Sequence, residues 1–192
     1  MSDIIRTFIG FELPENIISA IGSVQEGLKS YGLKVRWVRP KNIHLTLKFL
    51  GDIKVFDIKN VGQAITESVK ENGPISLQAK GIGLFPGIKR PRVIWIGLAG
   101  QMEPLIGLQK ILDENLERIG FPKESRPFKG HLTLGRIKGK LNPKTLADAI
   151  KEFERFESEV FDLSGITLFK SELTPKGAIY TELISASLGQ KQ

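Results

Sequence analysis

Cysteine is absent from the 192 residues, and histidine occurs only twice. The first absence excludes disulfides, zinc–thiolate sites, iron–sulfur clusters and thiol nucleophiles together. The second means that any imidazole chemistry must draw on two side chains. Long hydrophobic runs are missing too, and none approaches the roughly 20 apolar residues of a membrane span. The start, MSDIIRTFIGFELP, carries charge inside its apolar stretch and lacks a small-residue cleavage site, so no signal peptide is expected. These absences point to a cytoplasmic protein with no membrane partner.

What is present is ordinary for a globular chain, with 41% hydrophobic and 26% charged residues. The length suits one domain, or two small lobes sharing a core. Lys and Arg outnumber Asp and Glu by 28 to 21, a net charge of +7. A basic balance fits a polyanionic partner such as RNA, and it equally fits a solubilising Lys-rich surface.

Helical spacing recurs four times. Pro14 opens a segment with Ile17, Ile18, Ile21, Val24 and Leu28 on one face. A second runs from about Asp57 to Val69. A third follows Pro104 through Leu105, Leu108, Leu112 and Leu116 and stops at Gly120. A fourth starts at Asn142-Pro143, a cap followed by a first-turn proline, and reaches Phe153. Strand-like runs lie between them: 4–13, 33–38, 43–50, 75–85, 92–98, 131–137, 160–169 and 178–188. Short links between neighbouring strands predict an α+β protein with mostly antiparallel sheets.

The chain repeats itself. Arg39-Pro40-Lys-Asn-Ile-His44-Leu45-Thr46-Leu47 and Arg126-Pro127-Phe-Lys-Gly-His131-Leu132-Thr133-Leu134 share R-P-x-x-x-H-L-T-L, 87 residues apart. At the same offset Ile9-Gly10 matches Ile96-Gly97, and Phe8 lies over Trp95. Near that offset Gly81-Ile82-Gly83-Leu84-Phe85 resembles Gly165-Ile166-Thr167-Leu168-Phe169. The sequence therefore predicts a single domain over residues 1–192, built of two similar, interleaved lobes about a pseudo-twofold axis. Each lobe contributes one HLTL strand to a central cleft.

A histidine in an apolar strand is ordinarily packed in the core. Here strand alternation argues otherwise. Leu45 and Leu47 point one way, and His44 and Thr46 the other. The same holds for His131 and Thr133 over Leu132 and Leu134. Lys48 extends the His44 face. Two such faces meeting would present two imidazoles, two hydroxyls and nearby cations. One neutral and one protonated imidazole can take and give a proton at neutral pH. Hydroxyls and cations can hold a phosphate. That is a metal-free set for opening a phosphodiester. Two histidines without H-x-x-x-H or H-E-x-x-H spacing make a poor metal site. No G-x-S-x-G elbow supports a serine hydrolase.

Paired H-L-T-L motifs at this separation resemble the two-histidine phosphoesterases. Four further blocks resemble their RNA 2′,3′-cyclic phosphodiesterase branch, also called 2′–5′ RNA ligases. These are Arg6-Thr-Phe-Ile-Gly-Phe-Glu-Leu-Pro14, Val35-Arg-Trp-Val-Arg-Pro-Lys-Asn-Ile-His44-Leu-Thr-Leu-Lys-Phe-Leu-Gly51, Pro91-Arg-Val-Ile-Trp95-Ile-Gly-Leu and Arg126-Pro-Phe-Lys-Gly-His131-Leu-Thr-Leu-Gly-Arg136. One departure is Gly130, where proline is common. The resemblance implies a bilobal α+β fold, with two mostly antiparallel sheets facing across a cleft and helices outside. It implies hydrolysis of an RNA 2′,3′-cyclic phosphate to a 2′-phosphate, with no metal or cofactor. The partner implied is RNA with a cyclic phosphate end, tRNA fragments included, acted on by a monomer. His44 would be the general acid and His131 the general base. The residues alone leave those two roles open.

The substrate-binding candidates are Thr46, Thr133, Arg136 and Lys48. Strict alternation puts Arg136 on the leucine side, so its use requires a bulge at Gly135. Arg126 reads as a rim cation. Phe11, Phe49 and Trp37 can stack on a base, although strand aromatics are more often core. The alternatives are 2′–5′ ligation of RNA halves in the same cleft and a non-catalytic nucleotide- or RNA-binding module.

Overall fold

The structure is a computed structural model that describes residues 3–175 and 177–189. The ends of the expected 1–192 unit, residues 1–2 and 190–192, lie outside the described residues.

All four expected helices form. In α1 (Glu15–Ser30) Ile17, Ile21, Val24 and Leu28 are buried, as their spacing predicts. The second helix, α2 (Ile58–Val69), buries Val61, Ile65 and Val69. The third, α3 (Met102–Glu117), starts two residues before Pro104. Proline is tolerated there because first-turn N–H groups have no helical acceptor. Gly120, at φ +96°, turns the chain away after α3. The last, α4 (Pro143–Phe153), is capped by the Asn142 side chain, which accepts from the backbone N–H groups of Lys144 and Thr145.

The strands are β1 (Ile4–Phe11), β2 (Val35–Trp37), β3 (Leu45–Lys54), β4 (Ile75–Phe85), β5 (Val93–Gly100), β6 (His131–Ile137), β7 (Glu157–Leu163), β8 (Gly165–Thr174) and β9 (Gly177–Ser187). One expectation is corrected: the run 160–169 is not a single strand. It breaks at Ser164, whose carbonyl accepts from Leu188 N–H. Strand β7 lies at one sheet edge, whereas β8 lies next to the other. The buried apolar residues change phase there, from Phe161 and Leu163 to Ile166 and Leu168 across Ser164-Gly165, which marks the break.

Among the described residues the strands join in the order β7-β4-β5-β6-β3-β1-β8-β9, with β2 also on β6, and every pairing is antiparallel. The order is a palindrome under the sequence repeat: β6 answers β3, β5 answers β1, and β4 answers β8. Strand β4, from the first half of the chain, pairs with β5 of the second. The sheet is thus built by strands exchanged between the two halves of the chain. Among the described residues the central strands β3 and β6, one from each half-sheet, pair only at Leu45–Leu132.

Both leucines of that pair are buried, along with Leu47, Ile94, Ile96, Leu134 and Leu168. This apolar face lies against the helices. Helices α1 and α4 pack together, α4 also packs on β4, and α2 and α3 form the corresponding pair beside β8, β9 and β3.

Candidate active site

The Leu45–Leu132 pair sets the geometry of the site. Directly opposed residues of an antiparallel pair share a face, and their neighbours along each strand take the other. Extending this register by one residue sets His44 across from Thr133 and Thr46 across from His131. All four side chains therefore project from the face opposite the buried leucines, and all four are half-buried. The structure brings together the two histidines and two threonines that the repeat singles out.

Each imidazole is held the same way. His44 Nδ1 lies 2.7 Å from the Asn42 carbonyl oxygen, and His131 Nδ1 lies 2.7 Å from that of Lys129. A carbonyl only accepts, so Nδ1 carries the proton in both rings. Nε2 is left as the proton-transfer atom of each. Asn42 adds a second tie, for its side-chain amide donates to the Ala178 carbonyl on β9 at 2.7 Å.

Each imidazole also has an aromatic wall. His44 stacks on Phe8 with centroids 4.5 Å apart and meets the edge of Tyr180 at 5.2 Å. Phe8 in turn stacks on Phe169. His131 meets Phe85 edge-on at 5.0 Å and Trp95 at 6.3 Å, and those two rings stack on each other. The aromatic pairs Phe8/Phe169 and Trp95/Phe85 are equivalents under the repeat. Sequence reasoning aligned them and gave them no role. Of the aromatics it did name, Phe11 is core, Trp37 packs against the core and Phe49 is exposed. Burial pushes the His44 pKa below the ordinary imidazole value, the hydrogen bond to Asn42 opposes that, and the charge of His131 lowers it further. The two rings are thus in electrostatic reach of each other.

Arg136 is delivered by the bulge that its position demands. The β5–β6 register slips between Ile94–Gly135 and Trp95–Thr133, so Leu134 has no partner. Leu134 and Gly135 are both buried, and Arg136 emerges exposed on the His/Thr face. The Leu134 carbonyl accepts from Val38 N–H at 2.9 Å and from the buried Gln25 amide at 2.9 Å. A Cβ on Gly135 would collide with the Val35 side chain, so glycine lets β2 pack here. The guanidinium lies close enough to Tyr180, on the opposite half-sheet, to favour its phenolate, against a larger upward push from burial.

Lys48 does not join the site. The equivalent bulge in β3 falls at Leu47, between the pairs Ile9–Lys48 and Gly10–Thr46. It turns Lys48 to the buried side, where Nζ pairs with Asp113 of α3 and donates to the Pro122 carbonyl at 2.6 Å. Its expected role in substrate binding is therefore replaced by a structural one. Arg126 lies in the exposed loop before β6.

A cavity of about 340 Å³ opens beside His44, between Phe8, Phe169, Tyr180 and the Arg39–Asn42 turn. No group of three or more His, Cys, Asp or Glu side chains among the described residues is placed to hold a metal ion. No helix among them is long and apolar enough to cross a membrane.

Comparison with known proteins agrees with this geometry. The family model described as LigT like Phosphoesterase matches the chain twice, over residues 11–95 and 96–180, one copy per half. The chain is 34% identical to the RNA 2′,3′-cyclic phosphodiesterase of Methanothermobacter thermautotrophicus over 93% of this chain and 96% of that one. It is 39% identical to the protein of the same name from Methanocaldococcus jannaschii over 91% and 96%. The solved structure of TT0787 from Thermus thermophilus superposes with a TM-score of 0.81 at 26% identity, covering 97% of this chain and all of that one. A duplicated sheet with one histidine motif on each central strand, matched in both halves, makes this chain a member of the LigT-like phosphoesterase family.

Proposed function

We infer that the protein is a metal-independent RNA 2′,3′-cyclic phosphodiesterase that opens a terminal cyclic phosphate to a 2′-phosphomonoester. The observation that carries this reading is the pair of imidazoles. Both stand at the start of equivalent strands, both have Nδ1 locked on a backbone carbonyl, and the Leu45–Leu132 register sets both on one face. The relatives' shared name supplies the substrate class.

The chemistry follows from that pairing. The neutral imidazole takes a proton from water through Nε2 as the water oxygen bonds to phosphorus. The P–O3′ bond breaks, and the protonated imidazole gives its Nε2 proton to the departing 3′ oxygen. Protons exchanged with solvent restore the starting pair. Thr46 and Thr133 donate to the non-bridging oxygens, and Arg136 offsets the charge that builds on them. In the free protein His44 is biased towards the neutral form. Its assignment as the acid therefore requires the substrate's own negative charge to draw a proton onto it, which an anion seated between two imidazoles supplies. The aromatic-walled cavity beside His44 receives the terminal nucleoside.

The proposal extends to a single working unit of both half-sheets, acting as a monomer in the cytoplasm on RNA fragments, those of tRNA included. The net charge of +7 supports an RNA partner. The deciding experiment is product analysis on a short RNA ending in a 2′,3′-cyclic phosphate. A 2′-phosphate is expected. A 3′-phosphate, a joined RNA or binding without turnover would each replace this reading with another.

A further inference from the structure

Strand β2 is only three residues long, yet it adds a charge to the cleft. Val35 and Trp37 pack towards the core, so Arg36 points to the other face. Its direct partner on β6 is Arg136. Both arginines are exposed, and both share the face of His131 and Thr133. Like charges directly opposed in an antiparallel pair repel, with Cβ atoms about 5 Å apart. Neither arginine makes an ion pair among the described residues.

The other half of the repeat does not reproduce this arrangement. At the 87-residue offset Arg136 corresponds to Phe49, and Arg36 corresponds to Lys123, which is neutralised by Glu117 at 2.9 Å. Two uncompensated guanidiniums thus stand side by side at one end of an otherwise near-symmetric cleft. Such a pair is relieved by an anion that forks between or along them. Arg136 already borders the His/Thr cluster. Arg36 stands one strand further out, about 4.8 Å beyond it.

We propose that Arg36 holds the phosphodiester on the 5′ side of the terminal nucleotide, so that the protein selects RNA strands over isolated nucleoside 2′,3′-cyclic phosphates. This rests on the cyclic phosphodiesterase reading above. The terminal cyclic phosphate lies among His44, His131 and the threonines, and the strand leaves over Arg136 towards Arg36. The unpaired arginine row gives the cleft a polarity that its two equivalent histidine motifs lack.

The test compares kcat/KM for a nucleoside 2′,3′-cyclic phosphate with that for a trinucleotide bearing the same end. The unaltered chain should favour the trinucleotide. Arg36→Gln should lower that preference about tenfold, the scale of one charge-assisted phosphate contact, mainly through KM for the trinucleotide. Arg36→Lys should restore part of it. Lys151→Gln, an equal change of charge on α4, should leave the preference alone. The salt dependence of log kcat/KM for the trinucleotide should flatten by about 0.7 in Arg36→Gln. An unchanged preference, or an equal loss on both substrates, would overturn the proposal, the latter by placing Arg36 on the cyclic phosphate itself. Failure of the unaltered chain to turn over either substrate would remove the phosphodiesterase reading and this inference with it.

Discussion

His44 lies face to face with Phe8, ring centroids 4.5 Å apart, in a stack that Phe169 continues. Because this packing removes water from the imidazole, it favours the neutral ring, and the charge of His131 adds to the effect. A site with one ring biased towards neutral is prepared to hold a single proton between two histidines.

With only two histidines in the chain, NMR titration reads each ring separately. His44 should titrate below the ordinary value of about 6.5. Replacing His131 with Asn removes the neighbouring charge, so the His44 midpoint should rise while burial keeps it below that value. An unmoved midpoint would show that the rings are uncoupled.

The same shift predicts a stability trend. Near neutral pH the unfolded chain binds more protons at this position than the folded one, so stability rises with pH. The His44 contribution is complete above about pH 6.5 and is lost as the pH falls from there through the lowered folded-state value. Urea unfolding at about pH 7.5 and about pH 5.5, on either side of the ordinary imidazole value, should show a loss on acidification that is smaller in His44→Gln.

Removing either imidazole should cost about 10²- to 10⁴-fold in rate, with a bell-shaped pH profile in the unaltered protein. The double variant His44→Ala, His131→Ala should be little worse than either single one, because the two act as a unit. EDTA should leave turnover intact. Steady-state rates on a cyclic-phosphate substrate check all three, and full activity in the double variant would refute the mechanism.

Asn42 breaks the symmetry between the histidines. Its carbonyl holds His44 and its amide is tied to Ala178. Lys129 holds His131 by its carbonyl and leaves its side chain exposed. Asn42→Ala should therefore loosen His44 and lower kcat by about tenfold or more with KM nearly kept. Lys129→Ala should change kcat little. Equal effects of the two substitutions would contradict this asymmetry.

Lys48 and Asp113 are both nearly buried, with side chains 6% and 11% exposed. Lys48→Met would leave the Asp113 carboxylate without its cation, and it should cost about 3–5 kcal/mol in urea unfolding. Lys48→Met with Asp113→Leu should recover most of that loss. A small effect of the single variant would contradict the structural role.

The sequence by itself determined the repeat, the helices and the placement of both H-L-T-L motifs on strands with leucines inward. Alternation is a property of a few consecutive residues, and duplication doubles its signal. It also showed that Arg136 needs a bulge before it can reach the cleft. Three features were decided only in the tertiary structure. The bulge at Leu47 sends Lys48 to Asp113, 65 residues away. The aromatic walls bring Phe8, backed by Phe169, and Tyr180 to His44, and Phe85 and Trp95 to His131. The β2–β6 pairing sets Arg36 beside Arg136. In each case the side chain's direction depends on which distant strand supplies the neighbouring hydrogen bonds, and local periodicity carries no record of that partner.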